Sequence, residues 1–201
     1  MSAPAVRGAS VLSIWYWKQL AIWAGLFKRD DVAIEYWERI LAARPGDSSV
    51  VATVAHMKAH AGGRREAVAL LQRAVELDPK SAHAWFNLGF LQQEEQRHDE
   101  ALASFERALT LDPKLDRAWY GKALSLIKSG RPQEAVAPLK RNTELQPMSP
   151  YGFYQLAHVY HKLEDKDGVA RTIRKLAEFE PKVAKQLERE TGVTVGVVTE
   201  F

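Results

Sequence analysis

Apolar residues recur along this chain at steps of three and four, broken by short polar turns, and the whole pattern returns every 34 residues. Prolines mark the period. Pro45, Pro79, Pro113, Pro147 and Pro181 each follow a helical stretch, in the contexts ARP, LDP, LDP, LQP and FEP. With each proline at position 32, the chain divides into 14–47, 48–81, 82–115, 116–149 and 150–183. Apolar residues then fall at positions 4, 7, 8 and 11, one stripe of a helix, and at 20, 24 and 27, a second stripe. Position 8 is always small (Ala21, Ala55, Gly89, Ala123, Ala157), and position 20 holds Ala33, Ala67, Ala101, Ala135 and Val169. Position 4 is bulky (Trp17, Val51, Trp85, Trp119, Phe153), as is position 24 (Trp37, Leu71, Phe105, Leu139, Ile173). Small residues let two helices cross closely, and the bulky ones fill the space beside the crossing. Breakers such as Gly62-Gly63 and Ser129-Gly130-Arg131-Pro132 separate the two stripes. Pro132 is well placed to open a second helix. Each repeat therefore reads as a helix–turn–helix that buries its apolar face only by stacking on its neighbours.

These residues resemble the tetratricopeptide repeat, most closely over 82–115 with WFNLG, EALASFERAL and LDP. The resemblance spans 170 of 201 residues without an insertion. It implies an all-α fold, a right-handed superhelical α-solenoid. Residues 1–13 form an N-terminal extension, and 184–201 a capping helix (Val183 to Glu190) with a tail. Three departures gather in the fourth repeat. Lys122 replaces an apolar residue and is expected to snorkel, Asn142 replaces a small apolar one, and Pro138 lies inside a helix and is expected to kink it.

Composition narrows the function. The chain is 46% hydrophobic and 26% charged, as soluble globular domains are. It contains no cysteine, which excludes disulfide scaffolds, thiol nucleophiles and cysteine-ligated metals. A net charge of +3 argues against nucleic acid as a partner. There is no GxGxxG, Walker A, HExxH or GxSxG motif. The expectation is a non-enzymatic adaptor without cofactor or metal, whose Ala/Arg-rich turns are bacterial in style. Its partner is a protein or peptide, in a homodimer or a larger complex. Between Lys114 and Arg141 seven basic residues face two acids, enough to steer an acidic segment or simply to solvate a helix.

The resemblance also implies a concave groove lined by the first helix of each repeat. Its candidate residues here are His56, His83, Phe86, Asn87, Phe90, Arg117, Tyr120, Tyr151, Tyr154 and His158. Aromatics and arginine with few carboxylates suit an interface core. Replacing Phe86 and Tyr120 by alanine is expected to abolish binding while leaving helicity intact. A chaperone-tail clamp of the family needs five residues, and only Asn87 and Arg117 match, so that specialisation is not expected. His56/His60 and His158/His161 each place two imidazoles on one helix face, without an obvious third ligand. They read as polar groove residues that make binding differ between about pH 6 and about pH 8.

The two ends need covers. Trp15, Tyr16, Ile22, Trp23 and Phe27 lie on faces of the first helix that no earlier repeat covers. Residues 1–13, a second copy or another protein, or a membrane could take that face. A spanning helix needs about 20 apolar residues, and Lys18 interrupts this stretch, so membrane contact is the less favoured reading. A cytoplasmic protein is the default; the alternative is a peripheral membrane-tethered assembly factor anchored through residues 11–27. The β-branched end VTVGVVTEF reads either as a loose tail or as a strand that pairs with a partner or folds back.

Overall fold

In the computed structural model, which describes residues 9–198, five chain reversals share one backbone conformation. Lys28, Gly62, Gln96, Gly130 and Glu164, spaced by the repeat period, all have positive φ, between 55° and 89°. Only two of the five are glycine, the residue that adopts this region without a steric cost. These reversals join, in pairs, α1 (Val11–Leu26) and α2 (Asp30–Ala43), α3 (Ser48–His60) and α4 (Arg64–Leu77), α5 (Ala82–Glu94) and α6 (His98–Leu111), α7 (Asp116–Lys128) and α8 (Pro132–Leu145), α9 (Pro150–Lys162) and α10 (Lys166–Ala177); α11 (Pro181–Thr191) follows the last pair. This is the expected all-α solenoid arrangement of helix pairs.

The longer connections between pairs follow from their own chemistry. Asp78 and Asp112 accept the N–H of Lys80 and Lys114 at 3.1 and 2.9 Å, each bridging the intervening proline. Asp47 and Ser81 then cap α3 and α5 through their side-chain oxygens. The tryptophans at position 4 add a further tie. Trp85 Nε1 donates to the Pro79 carbonyl at 3.0 Å, and Trp119 Nε1 to that of Pro113 at 2.9 Å.

The chain forms two compact units, Met1–Glu95 and Gln96–Phe201. In the first, Ala55, Ala67, Val68, Leu71, Leu88 and Leu91 form a core where α3, α4 and α5 meet. In the second, Ala123, Ala135, Leu139, Phe153, Ala157, Val169, Ile173 and Leu176 continue the same pattern down to Ala184 and Leu187 of α11. Gly121 permits the closest approach of α6 and α7: a Cβ there would lie 2.5 Å from Cζ of the buried Phe105.

The departures in the fourth repeat resolve locally. Lys122 Nζ reaches Glu106 at 3.0 Å while its stem is largely covered. Asn142 is buried and donates from Nδ2 to the Asp116 carbonyl at 3.0 Å, tying α8 to the start of α7. α8 continues as one helix through the buried Pro138.

The C-terminal segment folds back. After the left-handed Gly192 ends α11, Val193, Val195 and Val197 pack on the core of the second unit, while Gly192, Thr194, Gly196 and Val198 face solvent. Three successive amides, of Val195, Gly196 and Val197, donate to Glu188 Oε1 at 2.6, 2.8 and 3.3 Å. Of the two readings of this tail, folding back is the one observed through Val198. Its last three residues lie outside the described ones.

Candidate functional site

In the first unit, α3 and α5 present one face each, and α4 closes the floor behind them. The result is a cavity of about 390 Å³. Ala52, Ala59, Leu71 and Leu91 supply apolar lining, and His56, His60, Asn87 and Phe90 stand around it. At its rim Arg64 approaches Glu94 to 3.9 Å. The His56 and His60 rings meet edge to face, with centroids 4.7 Å apart. Burial, and then the neighbouring charge of His60, lower the His56 pKa below its ordinary value. Partial burial thus favours the neutral form of His56.

Of the groove residues expected in this unit, the cavity gathers His56, Asn87 and Phe90. His83 is exposed at the start of α5 and does not line it. Phe86 lies beside Phe90, with centroids 6.4 Å apart, but only 6% of it is exposed, whereas Phe90 is 48% exposed. Phe86 is therefore a packing residue first. Its removal, expected from the sequence to leave helicity intact, should also cost about 3–5 kcal/mol of stability. Arg64 and Glu94 are not among the groove residues expected from the sequence. Glu94 occupies position 13, the same groove register as His60, and that register is the signal that points to it.

In the second unit, α7 carries Arg117 and Tyr120, and α9 carries Tyr151, Tyr154 and His158. Burial raises the Tyr120 hydroxyl pKa, with its hydrogen bond to Gln155 opposing. Tyr151 is 71% exposed. Tyr154 and His158 are already engaged from within the chain. Tyr154 Oη donates to Glu190 Oε2 at 2.8 Å, and His158 Nε2 lies 3.0 Å from the same oxygen. Gln186 donates to the other oxygen at 2.6 Å. Hydrogen bonds from Gln186, Tyr154 and His158 lower the Glu190 pKa against the effect of burial. Glu190 is not among the residues the sequence points to, because its partners Tyr154 and His158 lie more than 30 positions away on α9. His161 lines a different hollow, with Glu164, Lys166 and Thr191. Among the described residues no group of three His, Cys, Asp or Glu side chains could hold a metal ion.

The N-terminal candidates are exposed. Trp15, Tyr16, Ile22, Trp23 and Phe27 all lie on the outer side of α1, opposite the buried Ala21 and Ala24. Trp23 and Phe27 stack with centroids 6.1 Å apart. Among the described residues no helix is long and apolar enough to cross a membrane.

Two sequence models described as tetratricopeptide repeat match this chain, over residues 59–116 and 92–153. No curated protein sequence matches it. Solved structures match in number, 323 chains, so the fold alone selects no function. A structure of MamA is 21% identical, covers 83% of this chain and 97% of its own, and gives a TM-score of 0.77. YrrB, described as a TPR protein with an unusual peptide-binding site, is 16% identical, covers 86% and 90%, and gives 0.72. PilF of Pseudomonas aeruginosa is 18% identical, covers 89% and 86%, and gives 0.71.

Proposed function

We propose that this chain, a member of the tetratricopeptide-repeat family, is a non-enzymatic adaptor that holds an extended segment of a protein partner. The observation that carries this reading is the cavity of the first unit, about 390 Å³ with an apolar floor and few polar groups. Those are the proportions of a pocket that buries a side chain and fixes its orientation. The floor at Ala52, Leu71 and Leu91 takes an apolar side chain of the segment. Phe90 stacks beside it, and the Asn87 amide, both donor and acceptor, pairs with the segment's backbone. The peptide-binding site described for YrrB supports this use of the fold. In the second unit, Tyr154 and His158 form an edge with affinity for a carboxylate, which Glu190 now satisfies. The outer face of α1 is a separate interaction surface.

An array of immobilised peptides of defined sequence, probed with purified full chain, tests the groove. Asn87→Ala and Phe90→Asp should each weaken the peptides that bind by about tenfold or more, a change of ~1.4 kcal/mol, with thermal stability retained. Peptides bound equally well by wild type and both variants would show that the cavity is not the site.

A further inference from the structure

The outer face of α1 has an internal order that its exposure alone does not convey. At about 100° per residue, its large exposed side chains fall on one continuous arc. Leu12, Gln19 and Leu26 run along the middle of that arc at intervals of seven. Trp15 and Ile22 flank the row on one side, and Tyr16 and Trp23 on the other. This is the spacing of a helix seam, with a single polar residue at its centre. Exposures from 45% at Ile22 to 78% at Leu12 amount to an apolar patch on the order of 1,000 Å², counting ~150–250 Å² for each full aromatic ring. A monomer's largest patch is typically ~300–600 Å², and a stable interface needs ~800 Å² from each partner.

We propose that a second copy of this chain covers the face, α1 against α1 around a two-fold axis passing beside Gln19. The inference deepens the reading of this face as an interaction surface, and stands whether or not the cavity of the first unit takes a peptide. Two observations select a second copy over a lipid surface. The first is Gln19. A two-fold axis brings a residue against its own copy, and a primary amide both donates and accepts, so two glutamines satisfy each other where two lysines or two glutamates would repel. Its amide has no partner among the described residues, and in lipid it would be left without one. The second is charge. Over α1 and α2, including the turn between them, four basic residues are matched by the acids Asp30, Asp31, Glu35 and Glu38, so this helix pair carries no net positive charge to draw it to an anionic bilayer. Lys18 lies at the rim of the arc, about 100° from its middle, clear of the axis.

The absence of cysteine makes the test direct. Light scattering of the full chain at micromolar concentration should give twice 22.6 kDa. Gln19→Cys should link into a covalent dimer under mild oxidation, while Lys18→Cys stays monomeric on a non-reducing gel. Trp15→Asp combined with Trp23→Asp should raise the dimer dissociation constant by about 100-fold or more, with circular dichroism unchanged because both rings are exposed. A monomeric wild type overturns the proposal, as does a dimer in which Lys18→Cys links as readily as Gln19→Cys. Flotation of the wild-type chain with phosphatidylserine–phosphatidylcholine vesicles, abolished in the double variant, would overturn it in favour of lipid. Peptide-array binding is unaffected by these variants, so failure here is distinguishable from failure of the groove.

Discussion

The clamp of the tail by Glu188 gives the sharpest energetic prediction. The side chain is 4% exposed, and one of its oxygens accepts three backbone N–H groups, from Val195, Gly196 and Val197. Consecutive amides converging on one oxygen form an anion-binding concavity, here filled from within the chain. Lys185 Nζ lies 3.0 Å from the second oxygen, close enough for an ion pair though not aligned as a hydrogen bond. Burial by itself raises the carboxyl pKa. The Val195 amide, Lys185, and the amides of Val197 and Gly196 outweigh it and hold the group at about 2, below its ordinary 4.5. The unfolded chain therefore takes up this proton first as pH falls. The clamp is fully effective above the ordinary value and is lost progressively between 4.5 and about 2. The displacement is equivalent to about 3 kcal/mol, at ~1.4 kcal/mol for each tenfold change in proton affinity. Screening on the open side of the tail lowers this to about 2 kcal/mol.

Glu188→Gln keeps the shape and removes the charge. Amide hydrogen exchange should show the protection of Val195, Gly196 and Val197 falling by about 30-fold, the equivalent of ~2 kcal/mol, while amides in α9 and α10 are unchanged. In wild type the same three amides should lose protection as pH falls below 4.5. Equal protection in wild type and variant would refute the charge argument, leaving the valine contacts as the sole anchor of the tail.

Other perturbations follow from single contacts. Gly121→Ala drives a Cβ to 2.5 Å from the Phe105 ring, and urea denaturation should show a loss of about 1–3 kcal/mol. Glu164→Gly relieves a left-handed residue at φ 60° and should add about 1 kcal/mol by the same assay. Because burial lowers the His56 pKa, the unfolded state is protonated first, and stability is lost as pH falls below 6.5. His56→Gln should flatten that part of a melting-temperature profile by about 1–3 °C. A profile identical to wild type would place the acid sensitivity elsewhere.

The helix pairs were legible because a 34-residue period repeats one solution to one packing problem. An alanine at position 8 or 20 has the same neighbours each time, so Ala55, Ala67, Ala123 and Ala135 announce buried crossings that the structure fully encloses. The register of the groove is what the resemblance to the tetratricopeptide repeat adds to that period: it sets His56, Asn87 and Phe90 on one side of the first helices, and the cavity gathers the three. Three things escaped it. The five left-handed turns are hidden where Lys28, Gln96 and Glu164 stand in place of glycine, because a bulky residue can be held there when the helices on both sides fix the turn. Phe86 and Phe90 are alike in a helical pattern, and only the packed structure separates the buried ring from the open one.

The third is the C-terminal end. Alternating Val193, Val195 and Val197 contain the inward face of an extended segment, yet neither its direction nor its anchor is written locally. Glu188 and Glu190 differ by two positions on one helix, and so point to different sides: one closes the tail, the other meets Tyr154 and His158. Periodic apolar burial is a property of each repeat and survives in the sequence alone. A carboxylate's partner is set by where distant backbone and side chains arrive, and only the tertiary structure decides that.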